Sequence, residues 1–357
     1  MEIFAIIMAG GEGTRFWPLS RQRRPKHLLN IGGGDIMVNE TIKRLSGVIP
    51  PDNILVITGK KQSQDMRRKI LSDLPPENII VEPEGKNTSA CIAYAAMVVR
   101  SRCDGGIMCI LPSDHHITGT ESFRNVLKTA CAVAHKTGKL ITIGIKPVFP
   151  SSGYGYIKYL KERMPYKNVY EVEEFIEKPS VDAARRYVEE NCYLWNSGMF
   201  VWKVSAILEN LQRYLPGLFN RMMEIREFIG TEKEEEAVGS AYAALQNISI
   251  DYAVLERSDD MLVIPGDFGW NDVGSWDTLD TILPTDENGN IVRGRHLGID
   301  TKNSVIYGEG RLIATIGLED FIVADTDDAL LICPRERAQE VKKLVDHLKN
   351  RHMDEYI

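Results

Sequence analysis

The sequence FAIIMAGGEGTRFWPLSRQRRPK, residues 4–26, joins a strand pattern to a glycine-rich loop. Its opening residues FAIIM are apolar without alternation, which predicts a strand buried on both faces inside a parallel sheet. The glycines that follow leave room for backbone N–H groups to approach phosphate oxygens. Arg15 and Lys26 add positive charge, and the two prolines limit how far the loop can flex. The stretch therefore predicts a polyphosphate-binding loop after an interior strand.

Two other glycine-rich phosphate motifs do not match this loop. The dinucleotide pattern G-x-G-x-x-G would require glycine at Phe16 if it began at Gly11, and glycine at Glu12 if it began at Gly10. The P-loop pattern requires Gly-Lys-Ser/Thr after its first glycine, and neither start leads to one. What remains, GGxGTRxxPLS followed by RPK, resembles the signature of the sugar-nucleotide pyrophosphorylases. These nucleotidyltransferases join a nucleoside triphosphate to a sugar 1-phosphate.

The composition is that of an ordinary globular protein. The chain has 357 residues, of which 43% are apolar and 26% are charged. A formal charge of −7 argues against broad nucleic-acid binding, and the basic residues between Arg21 and His27 are expected to contact a small polyanion. The 6 cysteines form no CxxC pair, which favours free, reduced thiols. No signal peptide or long apolar run is present, so we expect a cytoplasmic protein without membrane contact.

Up to about residue 145, short apolar runs alternate with helical patterns. This alternation predicts an α/β fold, with a Rossmann-like, mostly parallel sheet flanked by helices on both faces. The resemblance implies the same nucleotidyltransferase, GT-A-like architecture. Ligands of such sheets bind beyond the carboxyl ends of the strands, where the glycine-rich loop begins. The predicted strands are residues 53–58, 78–81, 106–111 and 139–145, and the predicted helices are residues 38–46, 62–71, 88–100 and 121–136.

The run EPEGKNT, residues 82–88, follows a predicted strand and precedes an alanine-rich helix. Asn87 or Thr88 is a natural N-cap for that helix. The run also resembles a segment that lines the nucleotide site of the mannose-1-phosphate guanylyltransferases, and Lys86 keeps the charge of the arginine more usual there. The nucleotide-binding residues implied by the resemblance are Ala9, Gly10, Gly11, Gly13, Thr14, Arg15, Glu82, Pro83, Asn87, Thr88 and Ser113.

Two aspartates are candidate metal ligands. The buried run GIMCILPSD ends at Asp114, and Asp272 lies in a glycine-flanked turn within GDFGWNDVGSW. Carboxylates placed at the ligand edge of a sheet suit Mg²⁺ or another divalent cation, which takes its remaining ligands from phosphates and water. Each aspartate could instead cap its loop. Asp267 is a weaker alternative to Asp272.

From about residue 150 to 202 the chain becomes rich in strand patterns broken by glycine, proline and asparagine. Taken singly, the polar residues here are typical of turns or of the surface. In this order they resemble the sugar 1-phosphate half of the pyrophosphorylase site, with FIEKP and WNSG as the more specific segments. Asp251, in ISIDYAVLER, either holds substrate or caps a helix. The implied sugar-phosphate-binding residues are Gly153, Tyr154, Gly155, Glu177, Lys178, Asn196, Gly198 and Asp251.

The final part of the chain predicts a separate small module. Short strand patterns recur at residues 290–293, 304–307, 311–316, 321–325 and 329–333, and a helix is predicted from Arg335. Evenly spaced short strands predict a β-roll or β-helix-like module, which resembles the C-terminal module of the family. We therefore expect a catalytic domain at residues 1–284 and a small β-rich module at residues 285–357.

The segments EPEGKNT, ISIDYAVLER and GDFGWNDVGSW resemble those of the branch of the family that uses mannose 1-phosphate and GTP. The resemblance implies that GTP and mannose 1-phosphate give GDP-mannose and pyrophosphate. In that reaction Arg15 and the glycine-rich loop would hold the triphosphate, Lys26 would neutralise the reacting phosphate, and Lys178 would hold the sugar phosphate. A pyrophosphorylase for another sugar phosphate or nucleotide stays open, as do a catalytically silent sensor of sugar nucleotides and a homodimer.

Overall fold

The computed structural model describes residues 1–357 and contains a large α/β part followed by a β-rich module. The strands of the first part are β1 (Ile3–Ala9), β2 (Ile54–Gly59), β3 (Ile79–Glu82), β4 (Ile107–Pro112), β5 (His116–Ile117), β6 (Leu140–Ile145), β7 (Tyr156–Leu160), β8 (Tyr170–Ile176), β9 (Tyr193–Lys203), β10 (Met261–Gly266) and β11 (Trp270–Asn271). Its helices are α1 (Met37–Arg44), α2 (Ser63–Lys69), α3 (Asn87–Arg102), α4 (Thr120–Thr137), α5 (Val181–Glu190), α6 (Val204–Tyr214), α7 (Pro216–Glu224), α8 (Glu234–Ala243) and α9 (Ile250–Ala253).

Nine strands form the main sheet, in the order β3-β2-β1-β4-β9-β6-β10-β8-β7. The predicted parallel arrangement is present from β3 to β4 and again between β6 and β10. Strands β8 and β9 pair antiparallel with all of their neighbours, so the sheet as a whole is mixed. Strand β7 also pairs with β9, and the strands from β6 to β10 thereby form a closed ring of pairings.

The predicted α/β fold is confirmed, with a hydrophobic core on each face of the sheet. One core joins the sheet to α3, α6, α7 and α8, and the other joins it to α1, α2 and α4. Strand β1 is an interior strand and is almost entirely buried, as its unbroken apolar run predicts. All eight elements predicted in the first part are present, with ends shifted by one or two residues. None of the helices combines the length and the apolar character that a membrane-spanning helix requires, and all six cysteines are free.

The β-rich module contains six strands and one α-helix. Its strands are β12 (Ile291–Arg293), β13 (His296–Ile299), β14 (Val305–Gly308), β15 (Ile313–Ile316), β16 (Phe321–Asp325) and β17 (Leu330–Pro334), and its helix is α10 (Val341–Asn350). Strands β12, β14 and β16 pair in parallel, as do β13 and β15, which gives the predicted β-helix-like arrangement. Two details of the prediction are wrong. Strand β13 was not expected, and the helix that begins at Arg335 is a 3-10 helix as far as Glu340, where α10 takes over.

The module packs against the loop that follows β1, and this changes the interpretation of the basic residues there. The guanidinium of Arg21 lies 2.8 Å from a carboxylate oxygen of Asp328, and that of Arg24 lies 3.1 Å from Glu309. Both carboxylates belong to the β-rich module. Arg21 and Arg24 are thus paired with acidic residues of the chain, and their contact with a small polyanion stays a prediction.

Candidate active site

The two candidate metal ligands lie together because a small sheet joins their loops. Strand β5 begins two residues after Asp114, and strand β11 ends immediately before Asp272. These strands pair antiparallel, with Asn271 opposite His116. The pairing brings the loop after β10 across the sheet to the carboxyl end of β4. Two carboxylates that are 158 residues apart in the sequence thus face the same region.

Lys26 joins the two aspartate loops directly. Its Nζ donates to Oδ2 of Asp114 at 2.8 Å and to the backbone carbonyl of Asp272 at 2.6 Å. The lysine side chain is only 7% exposed, whereas that of Asp114 is 35% exposed. Burial alone would raise the pKa of Asp114, but the opposing interactions, led by the charge of the Lys26 ammonium, together hold the pKa below its usual value. Asp114 is therefore an anion at neutral pH.

The glycine-rich loop presents unused backbone donors beside this cluster. The N–H groups of Gly10, Gly11, Glu12 and Gly13 donate no hydrogen bond within the chain, and Arg15 is exposed without an ion-pair partner. Gly13 has a left-handed backbone, with φ of 62°, and a Cβ at this position would collide with the Cβ of Lys26. Glycine is thus required for the loop to pass the lysine. Free N–H groups next to buried positive charge suit a bound anion.

Tyr154 connects Asp272 to the segment assigned to the sugar. Its hydroxyl donates to Oδ1 of Asp272 at 2.7 Å. The tyrosine ring packs edge-on against Trp195 and Trp270, and the indole N–H of Trp270 donates to Nδ1 of His115. Burial lowers the pKa of His115 to about 4, so this imidazole is neutral at pH 7. The tyrosine, predicted as a sugar contact, therefore also orients a candidate metal ligand.

The remaining sugar-site residues form a second polar cluster. The side-chain amide of Asn196 donates to Oδ1 of Asp251 at 2.8 Å, and its own Oδ1 accepts the backbone N–H of Gly198. Ser249, not Asp251, caps helix α9, which removes the capping alternative for Asp251. Burial raises the pKa of Asp251.

Glu177 lies in the same cluster with one oxygen unused. Its Oε2 is buried without a hydrogen-bond partner, and a Cβ at Gly155 would collide with that oxygen. Burial, reinforced by the negative charge of Asp251, raises the pKa of Glu177 to about 7. Its neighbour Lys178 is 56% exposed and lies 3.3 Å from the Glu177 carboxylate. An unpartnered buried acceptor beside glycine backbone suits a hydroxyl-rich ligand.

The EPEGKNT segment lies where it was predicted, but its polar residues make different contacts. The N-cap position of helix α3 is Lys86, whose side chain accepts no hydrogen bond, whereas Asn87 has a left-handed backbone and its Oδ1 accepts the backbone N–H of Thr88 at 2.9 Å. Thr88 instead accepts the backbone N–H of Ile250 through Oγ1 at 2.9 Å. Glu82 accepts the hydroxyl of Tyr242 at 2.9 Å, and burial raises the pKa of Glu82 to about 7.

Several residues at the site were not identified from the sequence. Tyr242 anchors Glu82, and Glu256 accepts the backbone N–H of Glu177 at 2.8 Å. His27 is buried beside Lys26 and Asp114, with Nε2 unpartnered, and burial lowers its pKa to about 4. Glu256 lies in the run ISIDYAVLER, whose resemblance to the family pointed to this segment without indicating Glu256 itself. Tyr242 lies in an ordinary alanine-rich helix, which gave none.

The donor set at Asp114 and Asp272 fits a hard divalent cation. Oδ1 of Asp114 and Oδ2 of Asp272 accept no hydrogen bond, so each carboxylate has a free oxygen. No group of three or more histidine, cysteine, aspartate or glutamate side chains forms a complete metal cage. Two carboxylate ligands completed by phosphate and water are the usual arrangement for Mg²⁺.

Comparison with family models matches two parts of the chain. Residues 4–289 match the model described as nucleotidyl transferase. Residues 294–348 match the model described as a MannoseP isomerase/GMP-like beta-helix domain. The first match contains every residue predicted to bind substrate or metal, and the second covers strands β13 to β17 and most of α10.

Similar proteins cover nearly the whole chain. The xanthan biosynthesis protein XanB of Xanthomonas campestris pv. campestris strain B100 is 38% identical over 98% of this chain and 74% of its own length. The mannose-1-phosphate guanylyltransferase of Escherichia coli K12 is 36% identical with the same coverage. A crystal structure from Thermus thermophilus, described as a mannose-1-phosphate geranyltransferase, superimposes with a TM-score of 0.86 at 31% identity. That match covers 98% of this chain and all of that one.

Proposed function

This chain belongs to the nucleotidyl transferase family and, within it, to the mannose-1-phosphate guanylyltransferases, and from that premise we propose how its residues share the reaction. The enzyme makes GDP-mannose and pyrophosphate from GTP and mannose 1-phosphate. We assign catalysis to residues 1–284 and a supporting role to residues 285–357. Action in the cytoplasm and assembly as a homodimer stay predictions.

The reaction needs alignment and charge stabilisation rather than a general base. An oxygen of the mannose 1-phosphate dianion is already a competent nucleophile, and it attacks the α-phosphorus of GTP in line with the departing pyrophosphate. One P–O bond forms and one breaks, and no proton has to be removed from the nucleophile. The protein must therefore bring two polyanions together and stabilise the charge on the leaving group.

The glycine-rich loop and Arg15 are assigned to the triphosphate. The unused N–H groups of the loop would donate to phosphate oxygens, and the exposed guanidinium of Arg15 would pair with the β- and γ-phosphates. Lys26 is assigned to the reacting phosphate, because its buried ammonium lies between the two aspartate loops. The buried location makes its charge more effective than the same charge in water would be.

Asp114 and Asp272 are assigned to the divalent cation, through the oxygen that each leaves free. When bound, the cation would offset negative charge on the nucleotide phosphates as the leaving group departs. Tyr154 holds Asp272 in one orientation through its hydroxyl, and Lys26 does the same for Asp114. This support keeps two anionic side chains ordered before the ligands arrive.

The sugar phosphate is assigned to the second polar cluster. Glu177, Asn196 and Asp251 offer acceptors and a donor for mannose hydroxyl groups, and Gly153 and Gly155 allow the sugar to approach the backbone. Lys178 is assigned to the phosphate. Tyr154 belongs to this segment and also contacts Asp272, so it links the sugar side of the site to the metal side.

The observation that carries this proposal is the double contact of Lys26 with Asp114 and with the Asp272 loop. It unites the glycine-rich loop and both metal ligands in one cluster. The test is a turnover panel of GTP, ATP, UTP and dTTP against mannose, glucose and N-acetylglucosamine 1-phosphates, with pyrophosphate release as the readout. Preference for GTP with mannose 1-phosphate supports the assignment. Faster turnover of another pair would establish a different pyrophosphorylase, and no turnover would favour a sugar-nucleotide sensor.

Lys178→Ala is expected to raise the KM for mannose 1-phosphate about tenfold, with little change in the KM for GTP. A charge-assisted hydrogen bond to phosphate contributes about 1.5 kcal/mol or more, which corresponds to roughly tenfold. The measurement is a pair of initial-rate series, each substrate varied with the other saturating, together with GTP binding by calorimetry.

Lys158→Ala is the matched control for this prediction, because Lys158 of β7 is a partly exposed lysine paired with Glu173. It should change neither KM. Equal weakening of both substrates in the Lys178 variant, or loss of GTP binding alone, would place Lys178 on the nucleotide side and contradict the assignment.

The KM for mannose 1-phosphate should fall as the pH rises through 7, because an ionised Glu177 accepts hydrogen bonds from sugar hydroxyl groups more strongly than a protonated one does. A carboxyl group with a pKa of about 7 is ionised in about a tenth of molecules at pH 6 and in about nine tenths at pH 8. The wild-type KM should therefore drop by up to about tenfold between these values, beyond any change caused by titration of the substrate phosphate.

Glu177→Gln separates the protein from the substrate in this experiment. The glutamine side chain should bind the sugar hydroxyl groups more weakly than an ionised Glu177 does, and its binding should not change with pH. The ratio of variant to wild-type KM for mannose 1-phosphate should therefore rise with pH. A constant ratio from pH 6 to pH 8 would show that ionisation of Glu177 plays no part in binding the sugar.

A further inference from the structure

The outer side of the glycine-rich loop is packed into a hydrophobic core that the catalytic part shares with the β-rich module. Phe16, Trp17 and Leu19 are buried in a hydrophobic cluster with residues of the module, including Val341 and Val345 of α10. This cluster is separate from the two cores on the faces of the main sheet. The inner side of the loop faces the active site. Its outer side packs against Trp276 of the catalytic part and against residues of the module that lie more than 300 positions later in the chain.

Hydrogen bonds fix the same contact. The indole N–H of Trp17 donates to the backbone carbonyl of Tyr356 at 2.7 Å. The carbonyl of Trp17 accepts the indole N–H of Trp276 at 3.1 Å. Trp17 is therefore hydrogen-bonded both to the catalytic part, through Trp276, and to the C-terminal segment, through Tyr356.

Glu12 is an acidic residue in the loop that is proposed to bind the negatively charged triphosphate. It lies between Gly11 and Gly13, among the N–H groups that donate no hydrogen bond within the chain. A carboxylate here would repel the triphosphate that those groups are proposed to bind. In the structure this carboxylate forms an ion pair with Lys349, near the end of α10: Nζ of Lys349 lies 2.7 Å from Oε2 of Glu12. The Lys349 side chain is 38% exposed and that of Glu12 is 34% exposed, so the pair is partly shielded from water.

We propose that Lys349 is a positioning residue for GTP: it neutralises Glu12 and holds that carboxylate away from the triphosphate. The β-rich module thereby contributes to nucleotide binding without contacting the nucleotide. This inference rests on the proposed function, in which the glycine-rich loop binds GTP. It specifically predicts an effect on GTP that depends on the charge of Glu12.

The test is a cycle of four proteins: wild type, Lys349→Ala, Glu12→Gln and the double variant. In the wild-type background, Lys349→Ala should raise the KM for GTP about fivefold, which is the effect expected for a partly exposed ion pair. The KM for mannose 1-phosphate and the thermal midpoint should stay near wild type. In the Glu12→Gln background the same substitution should leave the KM for GTP unchanged, because no carboxylate remains to be neutralised.

Two further variants complete the experiment. Lys349→Arg should restore the wild-type KM for GTP, since the charge is retained. Lys343→Ala is the matched control, because Lys343 lies on the same helix and pairs only with Glu340 inside the module. It should change nothing.

The cycle distinguishes the possible failures. An equal rise in the KM for GTP in the wild-type and Glu12→Gln backgrounds would show that Lys349 contacts GTP or acts through packing, and would overturn the inference. An unchanged KM in Lys349→Ala would overturn it as well. Failure of the proposed function would show differently, since the wild-type protein itself would neither bind GTP in calorimetry nor release pyrophosphate.

Discussion

Asp114→Asn is expected to lower kcat by roughly a thousandfold while leaving the protein folded. The substitution keeps the shape of the side chain but removes its charge, which weakens a hard-cation site and ends the ion pair with Lys26. Loss of metal-centred charge stabilisation costs several kcal/mol, and about 4 kcal/mol corresponds to three orders of magnitude. The measurement is kcat at saturating substrates over a range of Mg²⁺ concentrations. Asp272→Asn should behave in the same way.

The dependence on Mg²⁺ distinguishes a metal ligand from a residue that only positions Lys26. If Asp114 binds the cation, the variant should need a higher Mg²⁺ concentration for half-maximal activity, whereas the loss of a lysine contact alone would not change that concentration. Asp267→Asn is the matched control, since Asp267 lies on the same segment as Asp272 and is exposed. Near-normal turnover of a folded Asp114 variant at ordinary Mg²⁺ would remove Asp114 from the metal site.

Local sequence patterns were enough to predict that the candidate residues on the inner side of the loop lie together. The apolar run of β1, the glycines after it, and aspartates at the ends of buried strands each follow from short-range rules. These rules placed the glycine-rich loop, Asp114 and Asp272 correctly at one edge of the sheet. They could not reveal that Lys26 bridges the two aspartate loops, because that contact depends on the pairing of β5 with β11.

Long-range packing explains what the sequence did not predict. Local rules do not predict the burial of Phe16 and Trp17, because the apolar residues that cover them come from Trp276 and from the β-rich module, far along the chain. Arg21 and Arg24 resemble a polyanion site for the same reason, since their acidic partners lie about 300 residues later. The antiparallel pairing of β9 was also invisible, because a strand buried in a mixed sheet has the same local pattern as one in a parallel sheet.

Lys26→Ala is expected to lower kcat roughly 10²–10³-fold while changing the KM for GTP much less. The reason is that a buried, preorganised charge stabilises the developing negative charge more than it stabilises bound substrate, and removal of one such donor has effects of this size. The Lys26 ammonium is held by Asp114 and by the Asp272 carbonyl, so it needs no rearrangement during the reaction. The measurement is kcat and both KM values, with GTP affinity determined independently by calorimetry.

Two comparisons test whether the effect comes from the transition state. Lys61→Ala removes an exposed lysine that contacts Gln22 of the same loop, and it should leave kcat unchanged. The double variant Lys26→Ala/Asp114→Asn should be scarcely slower than the more damaged single variant, because residues that act as a unit have non-additive effects. If Lys26→Ala raises only the KM for GTP and leaves kcat intact, the lysine binds ground state and transition state equally, and its assignment to the reacting phosphate is wrong.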